Sequence, residues 1–310
     1  MNHRKIAIMG AGAVGGYYGG VLAHFSEDVT LICRGSHKNA IEQNGLHLST
    51  HWGEFTVHPR VTADPGEVGP VDLILYTVKT YSNKLVLPLI DPMVGPETTI
   101  LSIQNGVNSG GAIAERFGWQ RALQGATYIE AALVEPGKVE QSGSTARIEF
   151  GEQSGDITPR VNSIAEVLTK DGIQVEISRD ITASLWSKMV SVGAIGTVMT
   201  VSRASLAEVL SGPWGENTIR DVMQETVAVG TAAGITFEDR IVEQKMTVAL
   251  EEADEYKSSL QFDLNHRRPL EIDDIIGVVV RDGCALGVPT PASSALYTAL
   301  HGFKSGKQRQ

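Results

Sequence analysis

Four short stretches of this chain place residue types that suit nucleotide chemistry. The first is Gly10-Ala11-Gly12-Ala13-Val14-Gly15, a G-x-G-x-x-G run that directly follows an apolar stretch, Lys5–Met9, and directly opens a helical pattern. In that context each glycine has a reason. Gly10 permits a tight turn, Gly12 lacks a Cβ so that backbone can approach a pyrophosphate, and Gly15 lets the helix close on the strand. The first N–H groups of the helix and its positive dipole end then suit a diphosphate. A chance glycine cluster is the alternative, and the strand before and helix after it argue against that. The second stretch is Leu31-Ile32-Cys33-Arg34-Gly35. An NAD site usually carries a carboxylate about 20 residues after the first glycine. None stands at this strand tip, whereas the Arg34 guanidinium suits a 2′-phosphate in charge and bidentate geometry. His37 and Lys38 add possible donors. NADP(H) is therefore the expected cofactor, the alternative for Arg34 being a surface arginine capping the sheet. The remaining two stretches follow apolar runs: Thr77-Val78-Lys79-Thr80 and Gln104-Asn105-Gly106-Val107. Lys79 suits a cofactor phosphate or a substrate carboxylate, or is a solvated loop lysine. The Asn105 amide can hold both a nicotinamide ribose and a substrate, or Asn105-Gly106 is a mere turn.

The elements that must position these residues alternate. Strands are predicted over 5–9 and 28–33, and helices over 13–25 and 36–43. Residues 71–78 are too continuously apolar for a half-exposed strand. A helix over 81–90 should stop near Pro92, followed by a strand over 98–103 and a helix over 107–117. Repeated strand–helix units imply parallel pairing with right-handed crossovers. Within 126–150, Glu135-Pro136-Gly137-Lys138 and Ser142-Gly143-Ser144 are turn signals separating short antiparallel strands. A helix over 163–169 and a strand over 174–177 complete this part. Beyond residue 180 apolar residues recur at i, i+3, i+4 over 181–194, 214–233, 240–257, 272–286 and 292–303. Gly234, Gly287 and Pro289 mark helix ends. The expected fold is α/β: an N-terminal Rossmann-type domain with a mostly parallel sheet over 1–179, and an all-helical substrate and catalytic domain over 180–310.

Composition narrows the partners. With 310 residues, 42% of them hydrophobic, and a net charge of −10, the chain has material for about two cores. It has no basic run to neutralise a nucleic-acid backbone. An anionic small molecule needs only a local positive site. Cys33 and Cys284 lack metal-type spacing, so no metal is expected, and both read as buried thiols in a reducing compartment. No apolar leader and no run of about 18 apolar residues is present, which implies a cytoplasmic protein without a membrane span. The helical domain leaves room for a homodimer.

Taken in order, IMGAGAVGG, the VKT and QNGV loops, VEPGKVEQSG, LWSKMV and SSLQFDLNHRRPLEIDDIIG resemble the ketopantoate reductase (2-dehydropantoate 2-reductase) family over nearly the whole chain. The resemblance implies NADPH-dependent hydride transfer to the C2 ketone of a 2-oxo acid. It matches Lys188 to the family's general acid, and such a group is needed because hydride addition leaves an alkoxide. It matches Glu271 to a glutamate near the cofactor ribose and substrate, although by sequence alone Glu271 is a first-turn helix residue favoured by the dipole. Ser259 matches a serine that bonds substrate oxygens, Asn105 a shared cofactor and substrate contact, and Ala132 a backbone contact to the cofactor. In ketopantoate-reducing members asparagines stand four and eight residues after the lysine, on one helix face; here Val192 and Gly196 take those positions. Three readings follow: reduction of ketopantoate, the same chemistry on a less polar 2-oxo acid, or a non-catalytic NADP-binding sensor.

Overall fold

The structure, a computed structural model, describes residues 4–306. The chain divides into two units, the first ending at Ile181 and the second beginning at Thr182.

The first unit contains β1 (Lys5–Met9), α1 (Ala13–His24), β2 (Asp28–Ile32), α2 (Gly35–Asn44), β3 (Leu46–Thr50), β4 (Gly53–Val57), β5 (Arg60–Thr62), β6 (Val71–Tyr76), α3 (Asn83–Val86), β7 (Val94–Ser102), α4 (Ser109–Phe117), β8 (Ala122–Glu135), β9 (Lys138–Gly151), α5 (Pro159–Leu168) and β10 (Gln174–Ile177). Its strands form one sheet in the order β4-β3-β9-β8-β7-β6-β1-β2-β5, with β10 also on β9. The run from β8 through β5 is parallel throughout. Strand periodicity of two builds a core on each face. Ile6, Ile8, Leu31, Leu73, Leu75 and Leu101 bury on the side of α1 and α5. Ala7, Met9, Ile32, Ile74, Tyr76 and Ile100 bury on the opposite side, with Val86, Ile90 and Ile113. Both faces being covered, the central strands read as continuous apolar runs.

Several elements differ from the sequence expectation. Residues 81–90 form no single helix. A 3-10 turn at Thr80–Ser82 leads into α3, and a 3-10 stretch, Leu87–Met93, follows. Leu87 keeps helical dihedrals and its N–H still reaches Asn83 O, but Pro88 has no N–H to continue that ladder, so the α-helix stops after one turn and goes over into the 3-10 stretch. Ser142-Gly143-Ser144 is not a hairpin turn but an irregularity inside the long β9, where pairing jumps from Ile129↔Ala146 to Glu130↔Ser142 and Gly143 has a φ of 70°. The β3–β4 hairpin and β5 lie in a polar stretch whose alternation is too weak to announce strands.

The second unit is helical: α6 (Ile181–Ser202), α7 (Leu206–Ser211), α8 (Gly215–Ala232), α9 (Ile241–Glu251), α10 (Ser259–Asn265), α11 (Ile276–Leu286) and α12 (Pro291–His301). Helix α6 runs well past residue 194, and the short α7 and α10 were not foreseen. Short helices carry too few turns for a periodic signal, but their caps are explicit: Ser205 and Glu208 form a capping box on α7, and Ser258 caps α10. The Glu225 carboxylate on α8 accepts from the N–H groups of Ala292 and Ser293, both at 2.8 Å, and so caps α12. Both cysteines are free. Cys33 is half-buried, but Cys284 is exposed rather than buried, because the buried stripe of α11 runs through Ile276, Val279 and Gly283. Among the described residues no helix is long and apolar enough to cross a membrane.

Close packing of α1 gives a direct test. A Cβ added at Gly15 would lie 2.5 Å from the Gly10 carbonyl oxygen and 2.5 Å from Thr77 Oγ1, whereas one added at Gly111 on α4 would meet nothing within 4 Å. Gly15→Ala should destabilise the protein by about 1–3 kcal/mol, and Gly111→Ala should stabilise it by roughly 0.5–1 kcal/mol, read from urea midpoints.

Candidate active site

The glycine turn, Arg34, Thr77–Lys79 and Gln104–Asn105 follow the carboxyl ends of β1, β2, β6 and β7. These four strands are adjacent and parallel, so their loops share one edge of the sheet, where ligands bind in open α/β folds. Gly10 has a φ of 102°, which an L side chain rarely adopts, and its missing Cβ would meet the Val78 backbone nitrogen at 2.9 Å. Ala11 is fully buried, and its N–H donates to Ile32 O at 2.9 Å. Gly12 stands at the N-terminus of α1 without a side-chain cap, and nothing lies within 4 Å of where its Cβ would be. Ala13 and Val14 begin the helix half-buried. This combination of open space and helix N–H groups fits a diphosphate.

Arg34 is exposed at the N-terminus of α2. The two neighbours expected as extra donors are occupied otherwise. His37 is buried, with Nε2 2.8 Å from Ala11 O and Nδ1 accepting from the Gly137 N–H at 2.9 Å. Burial pushes its imidazole below the ordinary range, against the Ala11 hydrogen bond. Lys38 Nζ pairs with Glu42 at 2.7 Å. Cys33, half-buried at the end of β2, has its thiol pushed up to about 11 by burial, with Lys38 opposing.

The Lys79 and Asn105 loops are joined by Gln104, which sequence reasoning passed over. Its Nε2 donates to Val78 O at 2.6 Å and to Asn83 Oδ1 at 2.7 Å, and its Oε1 accepts from Ser102 Oγ at 3.2 Å. The signal was available as an amide directly ending a continuous apolar strand. Thr77 Oγ1 donates to Gly10 O at 2.8 Å, tying the first loop to the glycine turn. Lys79 and Asn105 are half-buried, and the Asn105 carbonyl accepts from Ser109 Oγ at 3.3 Å. Ala132 lies on β8 opposite Glu140, in the part of the β8–β9 hairpin that extends past the end of β7.

In the second unit Lys188 is half-buried in the early turns of α6. Ser191 Oγ turns back to Lys188 O at 3.2 Å, so its hydroxyl serves its own helix. Val192 is half-buried, and a Cβ at Gly196 would lie 3.0 Å from Ser258 Oγ. Ser258 is buried, accepts from the Gln261 N–H at 3.2 Å and thereby caps α10, while Ser259 is exposed as its first residue. Glu271 is buried at 4% exposure. It is not a first-turn residue. Helix α11 starts only at Ile276, and Glu271 O accepts from the N–H groups of Asp274 and Ile275 in a preceding turn, both at 3.1 Å. That turn is braced by Asp273, whose carboxylate accepts from Tyr297 at 2.8 Å and pairs with Lys304. Burial pushes the Asp273 carboxyl up, but Lys304 and Tyr297 together hold it below the usual range.

The two units correspond to two family descriptions. Ketopantoate reductase PanE/ApbA matches residues 6–155, and the C-terminal part of the same family matches residues 180–304. The chain belongs to the ketopantoate reductase family. A 2-dehydropantoate 2-reductase of Mesorhizobium japonicum is 29% identical, the alignment covering 96% of each chain. The crystal structure of a 2-dehydropantoate 2-reductase from Geobacter metallireducens GS-15 matches with a TM-score of 0.90 at 32% identity, over 96% of this chain and 99% of that one. A D-mandelate dehydrogenase solved with NADH and anilino(oxo)acetate shares the fold, with a TM-score of 0.89 at 24% identity over 97% and 98% of the chains. As a ketopantoate reductase family member the chain is an oxidoreductase acting on a C=O/CH–OH pair, in a family dependent on pyridine nucleotides. This sets aside the reading of a non-catalytic sensor.

Proposed function

We propose that this protein reduces ketopantoate to pantoate with NADPH. The observation that carries the reading is the match of both units to one reductase family, supported by curated relatives named for this reaction. The first unit serves as the nucleotide-binding domain and the second as the substrate and catalytic domain. When bound, NADPH supplies the hydride that reaches the C2 ketone. Positions Gly10 to Gly15 hold the diphosphate through backbone N–H groups and the α1 dipole. Arg34 pairs with the 2′-phosphate, its exposure leaving the guanidinium available to a ligand anion. Lys79 and Ala132 contact the cofactor, Asn105 in the first unit bonds ribose and substrate oxygens, and Glu271 in the second unit has the same class of partner. Lys188 delivers the proton to the developing alkoxide, and its charge stabilises that oxygen before transfer. Ser259 bonds the substrate.

A second reading keeps the chemistry but changes the acid. Val192 and Gly196 offer no side-chain hydrogen bonds along the Lys188 face of α6, and Ser191, the neighbouring hydroxyl, is bonded to its own helix. A 2-oxo acid with an apolar tail loses nothing there, whereas a hydroxyl without a partner costs about 1–3 kcal/mol.

NADPH oxidation with ketopantoate beside a small panel of simpler 2-oxo acids separates the readings. Highest kcat/KM on ketopantoate is expected; better turnover of an apolar-tailed acid gives the second reading the site. Lys188→Ala should lower kcat by about 10²- to 10⁴-fold while the NADPH dissociation constant stays nearly constant. Lost cofactor binding would contradict its role. Arg34→Ala should weaken NADPH far more than NADH, and equal effects on both would remove the 2′-phosphate contact.

A further inference from the structure

His37 belongs to no part of the proposed chemistry, yet it is buried beside the nucleotide turn with both ring nitrogens committed. The partners assign its protons. The Gly137 N–H can only donate, so Nδ1 is bare. The single proton therefore sits on Nε2 and is donated to the Ala11 carbonyl. Ala11 is thus pinned on both sides, its N–H by Ile32 O of β2 and its C=O by His37. The next residue is Gly12, where α1 opens with free space in front of it. On the far side, Gly137 lies at the tip of the β8–β9 hairpin. Its carbonyl accepts from the His47 N–H at 2.8 Å, and a Cβ there would lie 3.1 Å from that of Ala40 on α2. Arg34 starts the helix that carries His37, three residues earlier.

We infer that His37 is a positioning residue for the nucleotide: its neutral ring latches the Ala11 peptide to α2 and the hairpin tip, fixing the diphosphate-binding start of α1 relative to Arg34. The inference rests on the nucleotide-binding role proposed for the first unit. An imidazolium has a donor on each nitrogen, so protonation sets Nδ1–H against the Gly137 N–H and opens the latch. The bound arrangement requires the neutral form, so affinity holds at higher pH and is lost as pH falls through the folded-state value, which burial places below the ordinary imidazole range. On the two elements that hold the ring, the neighbouring charged groups along the chain are Arg34 and the Lys38–Glu42 pair of α2 and the Glu135–Lys138 pair at the hairpin ends. His47 on β3 is engaged with Thr56, and the glycine turn contributes no titratable group.

The test is the NADPH dissociation constant of wild type, His37→Ala and His37→Gln, measured by protein fluorescence from about pH 8 to about pH 5. At the upper end His37→Ala, which loses both bonds of the latch and with them the donor on the Ala11 carbonyl, should bind about tenfold more weakly. His37→Gln keeps an amide donor for Ala11 O and should bind within about twofold of wild type, without the acid weakening attributable to the imidazole. The 2′-phosphate titrates near pH 6 in every sample, so the readout is the difference between wild type and His37→Gln. Superimposable pH profiles for these two, or a folded His37→Ala with wild-type affinity, overturn the inference. They leave the nucleotide site standing. A wild type that binds no NADPH at any pH would instead remove the nucleotide reading, and the role of His37 with it. If His37→Ala does not fold, the pH comparison decides alone.

Discussion

Everything at the ligand edge of the first unit depends on how closely α1 lies on its surroundings. Four glycines make that approach possible. Added Cβ atoms would stand 2.5 Å from Gly10 O at Gly15, 2.9 Å from Val139 at Gly16, 2.6 Å from Leu31 at Gly19 and 2.5 Å from Leu48 at Gly20. Each glycine inside a helix costs about 1 kcal/mol relative to alanine. The cost is offset by burial of the intervening Tyr17 and Tyr18, both at 0% exposure. Their hydroxyls are satisfied, Tyr17 donating to Gly172 O at 2.8 Å and Tyr18 meeting Thr127 Oγ1 at 2.6 Å. The helix is therefore clasped by the sheet and by the long hairpin together, and its N-terminus is held where an anion can meet it.

The polar edge is organised by backbone carbonyls as much as by charge. Thr77 bonds Gly10 O, Gln104 bonds Val78 O and His37 bonds Ala11 O. Each fixes one loop to its neighbour, so the loops after β1, β6 and β7 form a connected rim. A protein of net charge −10 can then take a polyanionic cofactor, because the attraction comes from helix N–H groups and a few local cations rather than from the whole surface.

In the second unit the same economy recurs around α6. Gly196 lets the Ser258 cap of α10 come close, and the turn carrying Glu271 is held by the Asp273 carboxylate, bridged to Tyr297 and Lys304. Buried Glu271 is thus mounted on braced backbone, which suits the role proposed for it, and half-buried Lys188 stands on the long helix α6.

The sequence alone was enough to establish the parallel α/β unit, the helical unit and the glycine turn. Continuous apolar runs such as Val71–Tyr76 and a G-x-G-x-x-G run in its strand–helix context are local signals. The motifs carrying Lys188, Asn105 and Glu271 drew notice in the sequence, Lys188 and Glu271 through the family resemblance, and their roles are part of the proposal. Tertiary structure decided what local pattern does not encode. Pro88 ends the α-helical ladder, Ser142–Ser144 becomes an irregularity inside β9 because pairing with β8 resumes on its far side, and polar β3 becomes a strand because β9 supplies its partner. His37 shows the reason most directly. Four residues from the strand tip it reads as a phosphate donor, but the partners that satisfy both its nitrogens come from residues 26 and 100 positions away. A buried side chain bonds to whatever the fold brings beside it, and sequence spacing carries no record of that neighbour.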